Sequence, residues 1–162
     1  MKKLYSIVGL AFCLLAGGCT NLHEEILNEQ DNKQVVNDPN NAKMIAAPAY
    51  AAMRDFMDTG GLFALTETST DECVFPSRGS DWNDVNNRTL FWHTYDATNE
   101  HVKNAWNALM AALTRSNVAI NYLSKLEQSD EVKTYTNEVK FIRALSMYYL
   151  MDYWGHFPMR EA

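Results

Sequence analysis

Glu138–Pro158 reads EVKFIRALSMYYLMDYWGHFP. Between Phe141 and Trp154 its only strongly polar side chains are Arg143, Ser146 and Asp152. A segment apolar around its whole circumference, rather than along one stripe, predicts a helix that other helices must wrap. It is too short for a membrane span and carries an arginine and an aspartate in its middle. Gly155 stands where a left-handed C-terminal residue is expected, and Pro158 then prevents continuation.

Working backwards, Val132, Tyr135, Val139, Ile142 and Leu145 repeat at helical spacing behind Ser129, a good N-cap. Before them, Val102, Trp106, Leu109, Leu113, Ile120 and Leu123 define a second long helix, reaching about Leu126 and capped by Asp96 or Thr98. The short Glu127–Ser129 connection makes the two an antiparallel αα-hairpin. Asp38-Pro39 starts a further amphipathic helix over roughly 39–58, carrying Ile45, Ala49, Ala52, Met53 and Phe56, with Pro48 expected to kink it and Gly60-Gly61 to end it. Between Leu62 and Asp96 periodicity disappears. Thr68–Trp92, TSTDECVFPSRGSDWNDVNNRTLFW, holds Pro76, Gly79, four acidic residues and two tryptophans, and reads as a long loop. Long loops with bulky aromatics are commonly functional. The expected fold class is all-α: helical hairpins of tetratricopeptide-like size with one long irregular loop.

The chain begins with Lys2-Lys3, an apolar Leu4–Leu15 run and Leu15-Ala16-Gly17-Gly18-Cys19, a small-residue cleavage site ending in cysteine. This looks like a bacterial lipobox: residues 1–18 would be removed as a signal peptide and Cys19 acylated. More than one acyl chain, at roughly 0.8 kcal/mol per buried methylene, makes a stable anchor. Residues 19–37 are polar and non-periodic and serve as a lipidated tether, leaving 38–162 as the helical domain. Cys13 leaves with the signal, so Cys73 has no intrachain disulfide partner. Losing Lys2 and Lys3 leaves 12 basic groups against 20 acidic, a net −8. Without a clustered basic stripe, that balance excludes nucleic acid as a partner.

Three blocks together resemble the SusD/RagB group of outer-membrane nutrient-binding lipoproteins. The first is the lipobox followed by Asp38-Pro39 and Ala49-Tyr50-Ala51-Ala52-Met53. The second is Thr70-Asp71-Glu72, Arg78-Gly79-Ser80-Asp81-Trp82, and then Trp106 in a helix containing Arg115-Ser116-Asn117-Val118-Ala119-Ile120. The third is Glu138, Phe141, Arg143-Ala144, Tyr148-Tyr149 and Trp154-Gly155-His156-Phe157-Pro158. The resemblance implies tetratricopeptide-like helical hairpins, a place on the cell surface, and service as the lid of a SusC-type TonB-dependent transporter. It implies binding of an oligosaccharide or other nutrient without chemistry and without a cofactor. Members of the group are much longer, so this chain is expected to be the truncated, N-terminal part of one.

Trp82 and Trp92 are the expected ligand platforms, because a sugar's C–H face packs on an indole ring and burying such a ring is worth about 1.5–3 kcal/mol. Arg78, Asp81 and Asn83 are suited to fixing hydroxyl orientation beside them; Arg78, Asp81 and Trp82 also match the family's second block. The carboxylates Asp71, Glu72, Asp81 and Asp84 raise two other readings, a glycosidase acid–base pair and a calcium loop. Spacing along a loop does not give the separation the first needs, and the second lacks the alternation of a dedicated calcium loop. His93 and His101 lack zinc-type spacing and credible partners, so no metal site is expected. Asn87-Arg88-Thr89 matches a glycosylation sequon, read as chance in a bacterial lipoprotein. Tyr148, Tyr149, Tyr153 and Trp154 are assigned to the core, and Arg143 is expected to reach the preceding helix. Besides nutrient binding, a helical protein-interaction scaffold and, more remotely, a surface glycoside hydrolase fit the sequence.

Overall fold

Ala42, Ala46, Ala49 and Ala52 repeat at three- and four-residue steps, and all four are fully buried. They lie on α1, Ala42–Phe56, the first helix of a computed structural model that describes residues 38–76, 78–80 and 84–159. Side chains this small let neighbouring backbones approach closely, while Ile45 and Phe56 at the flanks supply bulk. Ahead of α1 a 3₁₀ turn spans Pro39–Asn41, with the Asn40 backbone N–H donating to Asp38 Oδ1 at 2.9 Å. Pro48 sits inside α1 with its ring exposed, and the helix runs through it to Phe56.

Three further helices follow: α2, Val85–Phe91; α3, Glu100–Leu123; and α4, Asp130–Trp154. A π-helical turn, Ala64–Thr68, precedes α2. There is no strand among the described residues, and the fold is all-α. The helix at Val85–Phe91 corrects the expectation of uninterrupted loop from Leu62 to Asp96. Asn99, not Asp96 or Thr98, caps α3, accepting from the backbone of His101 and Val102. Asp96 instead closes a turn by accepting from the Thr98 N–H and hydroxyl. Ser129 caps α4, with Val132 N donating to its Oγ at 3.2 Å.

The pairing of α3 with α4 is antiparallel, as the core clusters show. Ala119 and Leu123 at the end of α3 pack with Val132, Val139 and Ile142 near the start of α4. Leu109, Ala112 and Leu113, earlier in α3, pack with Leu150 near the end of α4. Gln128 seals the connection by donating to the carbonyls of Leu123 and Leu126. α1 lies against both, contributing Ala42 to Ala49 to one cluster and Ala52 and Phe56 to the other. Polar ties join each pair of the bundle: Arg143 Nε to Asn117 Oδ1 at 2.7 Å, the Tyr50 hydroxyl to the Glu138 carboxylate, and Arg115 to Asp55 at 3.8 Å. Arg143 thus reaches the preceding helix as its position predicts. Burial and the adjacent Glu138 carboxylate push the Tyr50 phenol up to about 12.

α4 departs from its predicted surroundings on one face. Val139, Ile142, Ser146 and Leu150 are buried, whereas Phe141, Tyr148 and Met151 are 63%, 56% and 59% exposed. Tyr149 and Trp154 are core residues, Tyr149 against Phe56 and Trp154 edge-on to Trp106 at 5.3 Å. Tyr148 and Tyr153 are not core: both lie on the surface. Gly155 ends the helix at φ +72° and ψ −45°, a γ-turn closed by the His156 N–H donating to the Trp154 carbonyl at 2.8 Å, so it takes a positive φ but not the αL conformation expected of it.

Candidate functional site

Asp84 organises the region between α1 and α3. Its side chain caps α2, with Oδ1 accepting from the Asn86 N–H at 2.9 Å and the Asn86 amide at 3.0 Å. Its Oδ2 meets the Asn87 amide at 2.9 Å and His101 Nε2 at 3.0 Å. Burial by itself pushes the Asp84 carboxyl up, but the bonds from Asn86 and from His101 outweigh it and hold it below its ordinary value. On the other side of the imidazole, His101 Nδ1 lies 3.1 Å from the Gly60 carbonyl. Both ring nitrogens therefore face acceptors, and both bonds form together only when both nitrogens carry protons. The hydrogen-bond partners of His101 tie the turn after α1, the start of α2 and the start of α3 into one unit. Asn99 extends the tie by donating to the Asn86 carbonyl, and the Glu100 N–H donates to Asn86 Oδ1, both at 3.0 Å.

This frame holds Trp92 outward. α2 ends in a Schellman motif: His93 N bonds Leu90 O at 3.0 Å and Thr94 N bonds Thr89 O at 2.9 Å, with His93 at φ +52°. The turn leaves Trp92 61% exposed at the edge of a recess of about 270 Å³. Val74, Phe75 and Pro76 line it from the loop, and Arg88 and Phe91 from α2. Arg78 is exposed two residues beyond Pro76 on the same loop. Of the sequence-predicted ligand residues, the structure places Trp92 and Arg78; Asp81, Trp82, Asn83 and the lipidation candidate Cys19 lie outside the described residues.

The remaining candidates fall away from chemistry. Asp84 has both oxygens engaged in structure, and Asp71 and Glu72 are exposed. Asn87 of the sequon is half-buried, its amide donating to Asp84. Among the described residues no three histidine, cysteine, aspartate or glutamate side chains gather as a metal ion would need. No described helix is long and apolar enough to cross a membrane. Sequence reasoning missed a second cleft of about 310 Å³, where Tyr95 and Asp96 face Tyr153 and Trp154. Its parts come from segments nearly sixty residues apart, so no local pattern marks it.

A family model described as starch-binding associating with outer membrane, of the SusD-like type, matches residues 25–162. The chain belongs to the SusD-like family. No curated protein and no solved structure matches it. SusD-like proteins are outer-membrane-associated binding proteins of the cell surface, not enzymes. The match spans the helical hairpin, the second and third sequence blocks, and the part of the first block from Asp38 onward.

Proposed function

We propose that this chain is a glycan-binding protein, anchored to the outer membrane by acylated Cys19, that holds its ligand at the Trp92 shelf and passes it to a SusC-type TonB-dependent transporter. The observation that carries the reading is Trp92 itself: a large indole, 61% exposed, beside an apolar recess and on a frame fixed by Asp84 and His101. An exposed ring held by a rigid support gives a sugar face a platform without ordering cost. Arg78, Asp81, Trp82 and Asn83, on the loop leading into α2, are the proposed hydroxyl-fixing and stacking partners. Starch oligosaccharides are the first ligands to try, given the family's description.

The test is calorimetric titration of a glycan panel. Trp92→Ala is expected to weaken the best ligand by about tenfold or more, since 1.4 kcal/mol is tenfold, with an unchanged melting temperature. Unchanged affinity would remove Trp92 from the site. The anchor is tested separately: Cys19→Ser abolishes acyl labelling in cells, and persistent labelling refutes it. A scaffold reading draws on a different feature, the exposed apolar face of α4 at Phe141, Tyr148 and Met151.

A further inference from the structure

The 310 Å³ cleft shares none of its lining residues with the recess at Trp92, and the buried Leu90 of α2 is among those that line it. Tyr95, Tyr153 and Trp154 are its aromatic lining, beside Leu65, Ser69, Ala97 and Val102. Tyr95 is 46% exposed and Tyr153 37% exposed, and Tyr153 meets Trp154 at 5.8 Å with an interplanar angle of 50°, so the two rings form a corner. Trp154 is fixed in turn by its edge-on contact with Trp106. The one charged side chain lining the cleft is Asp96, and no lysine, arginine or histidine lines it. Asp96 Oδ1 is taken by the Thr98 N–H at 2.8 Å and hydroxyl at 2.6 Å, leaving Oδ2 for a ligand. Those bonds hold the carboxyl below its ordinary value, so it is ionised at neutral pH. Burial, followed by the charges of Asp152 and Glu67 among others, pushes the Tyr153 phenol up, so its ring stays neutral and sits in a negative field.

We propose that this cleft binds an organic ammonium group, carried by an amino sugar or a quaternary amine. Aromatic faces attract a cation through their quadrupoles, and a carboxylate beside them adds a charged acceptor. A purely apolar guest would leave Asp96 against carbon, and an anion would meet the Asp96 carboxylate with no lysine, arginine or histidine in the lining to offset it. The volume lies at the lower end of the range for small-molecule sites, roughly 300–1,000 Å³. The proposal holds whether or not the Trp92 shelf takes a glycan.

The experiment titrates the ¹⁵N-labelled chain at pH 7 and constant ionic strength with choline and glucosamine, and with glucose and N-acetylglucosamine as neutral counterparts. Saturable shifts of the Trp154 indole N–H and the Tyr95–Ala97 amides are expected with at least one of the cations, at affinities about tenfold or more above the neutral sugars. Response to glucosamine alone assigns the site to amino sugars, and response to choline assigns it to the ammonium group itself. Asp96→Asn, which keeps an acceptor for Thr98, should weaken the cation about tenfold. Tyr95→Leu, on an exposed position, should weaken it without unfolding the chain. Equal binding of glucose, cation shifts that survive both substitutions, or no saturable shift with either cation would overturn the proposal.

Discussion

Asp84 carries the largest share of polar structure that any single side chain holds around the candidate site. Removing it with Asp84→Ala deletes the α2 cap, worth about 1 kcal/mol, and the partly exposed bond to His101, worth about another 1 kcal/mol. Denaturant titration is expected to show a loss of about 2 kcal/mol, and a loss under about 0.5 kcal/mol would mean the frame stands without it. Its pH dependence has a defined sign. The folded carboxyl titrates below its ordinary value of 3.8, so its contribution is complete above that value and is lost as pH falls through the folded one. Asp84→Asn should therefore show a shallower acid limb than the parent in stability measured between neutral pH and pH 2–3. None of this was legible in sequence, where Asp84 looked like one of several loop carboxylates, because its partner His101 lies 17 residues away. Trp92, by contrast, was named from sequence as a ligand candidate because an indole offers its face to a sugar, and the structure leaves it exposed.

The long helices and the short one differ in how plainly sequence announces them. α3 and α4, at 24 and 25 residues, repeat their apolar positions over many turns, so their existence and pairing follow from periodicity. α2 has seven residues, under two turns, and three of them are Asn86, Asn87 and Arg88. No period is visible over that length, and the helix exists because Asp84 caps it and Asn99 and Glu100 bind its first turn. The shift of the α3 cap from Asp96 or Thr98 to Asn99 has the same origin: Asp96 satisfies Thr98 locally, while the amide of Asn99 also reaches α2. At the other end of α2, His93 occupies a left-handed conformation that glycine adopts without cost. His93→Gly is therefore expected to raise stability by about 0.5–1 kcal/mol, read as an increase in denaturant midpoint at unchanged slope. A decrease would show that the imidazole makes a contact that outweighs the backbone cost.

At the scale of the whole molecule, three helices around alanine-lined contacts bury one face of α4 and leave the other in water. The all-round apolarity of Phe141–Trp154 foretold a helix wrapped on every side. Within the described residues α1 and α3 bury Val139, Ile142, Ser146 and Leu150 and partly cover Leu145, Met147, Tyr149 and Trp154. Phe141, Ala144, Tyr148 and Met151 follow one another at three- and four-residue steps, so their exposed side chains form a stripe on a single face. Val118, on α3, is also half exposed. Contiguous apolar surface of this kind marks interaction sites and promotes self-association. The 162-residue chain is thus expected to bind the dye ANS while fully folded and to associate as its concentration rises. Phe141→Ser, Tyr148→Ser and Met151→Gln together should abolish most of the dye signal and shift sedimentation toward the monomer. Stability should stay within about 0.5 kcal/mol per substitution, because none of the three side chains contributes to the buried clusters. If the triple variant instead unfolds, the stripe is packed in solution against part of the chain itself. Dye binding unchanged in a folded triple variant would move the apolar surface elsewhere, with Met44, Met57 and Val118 the next side chains to replace.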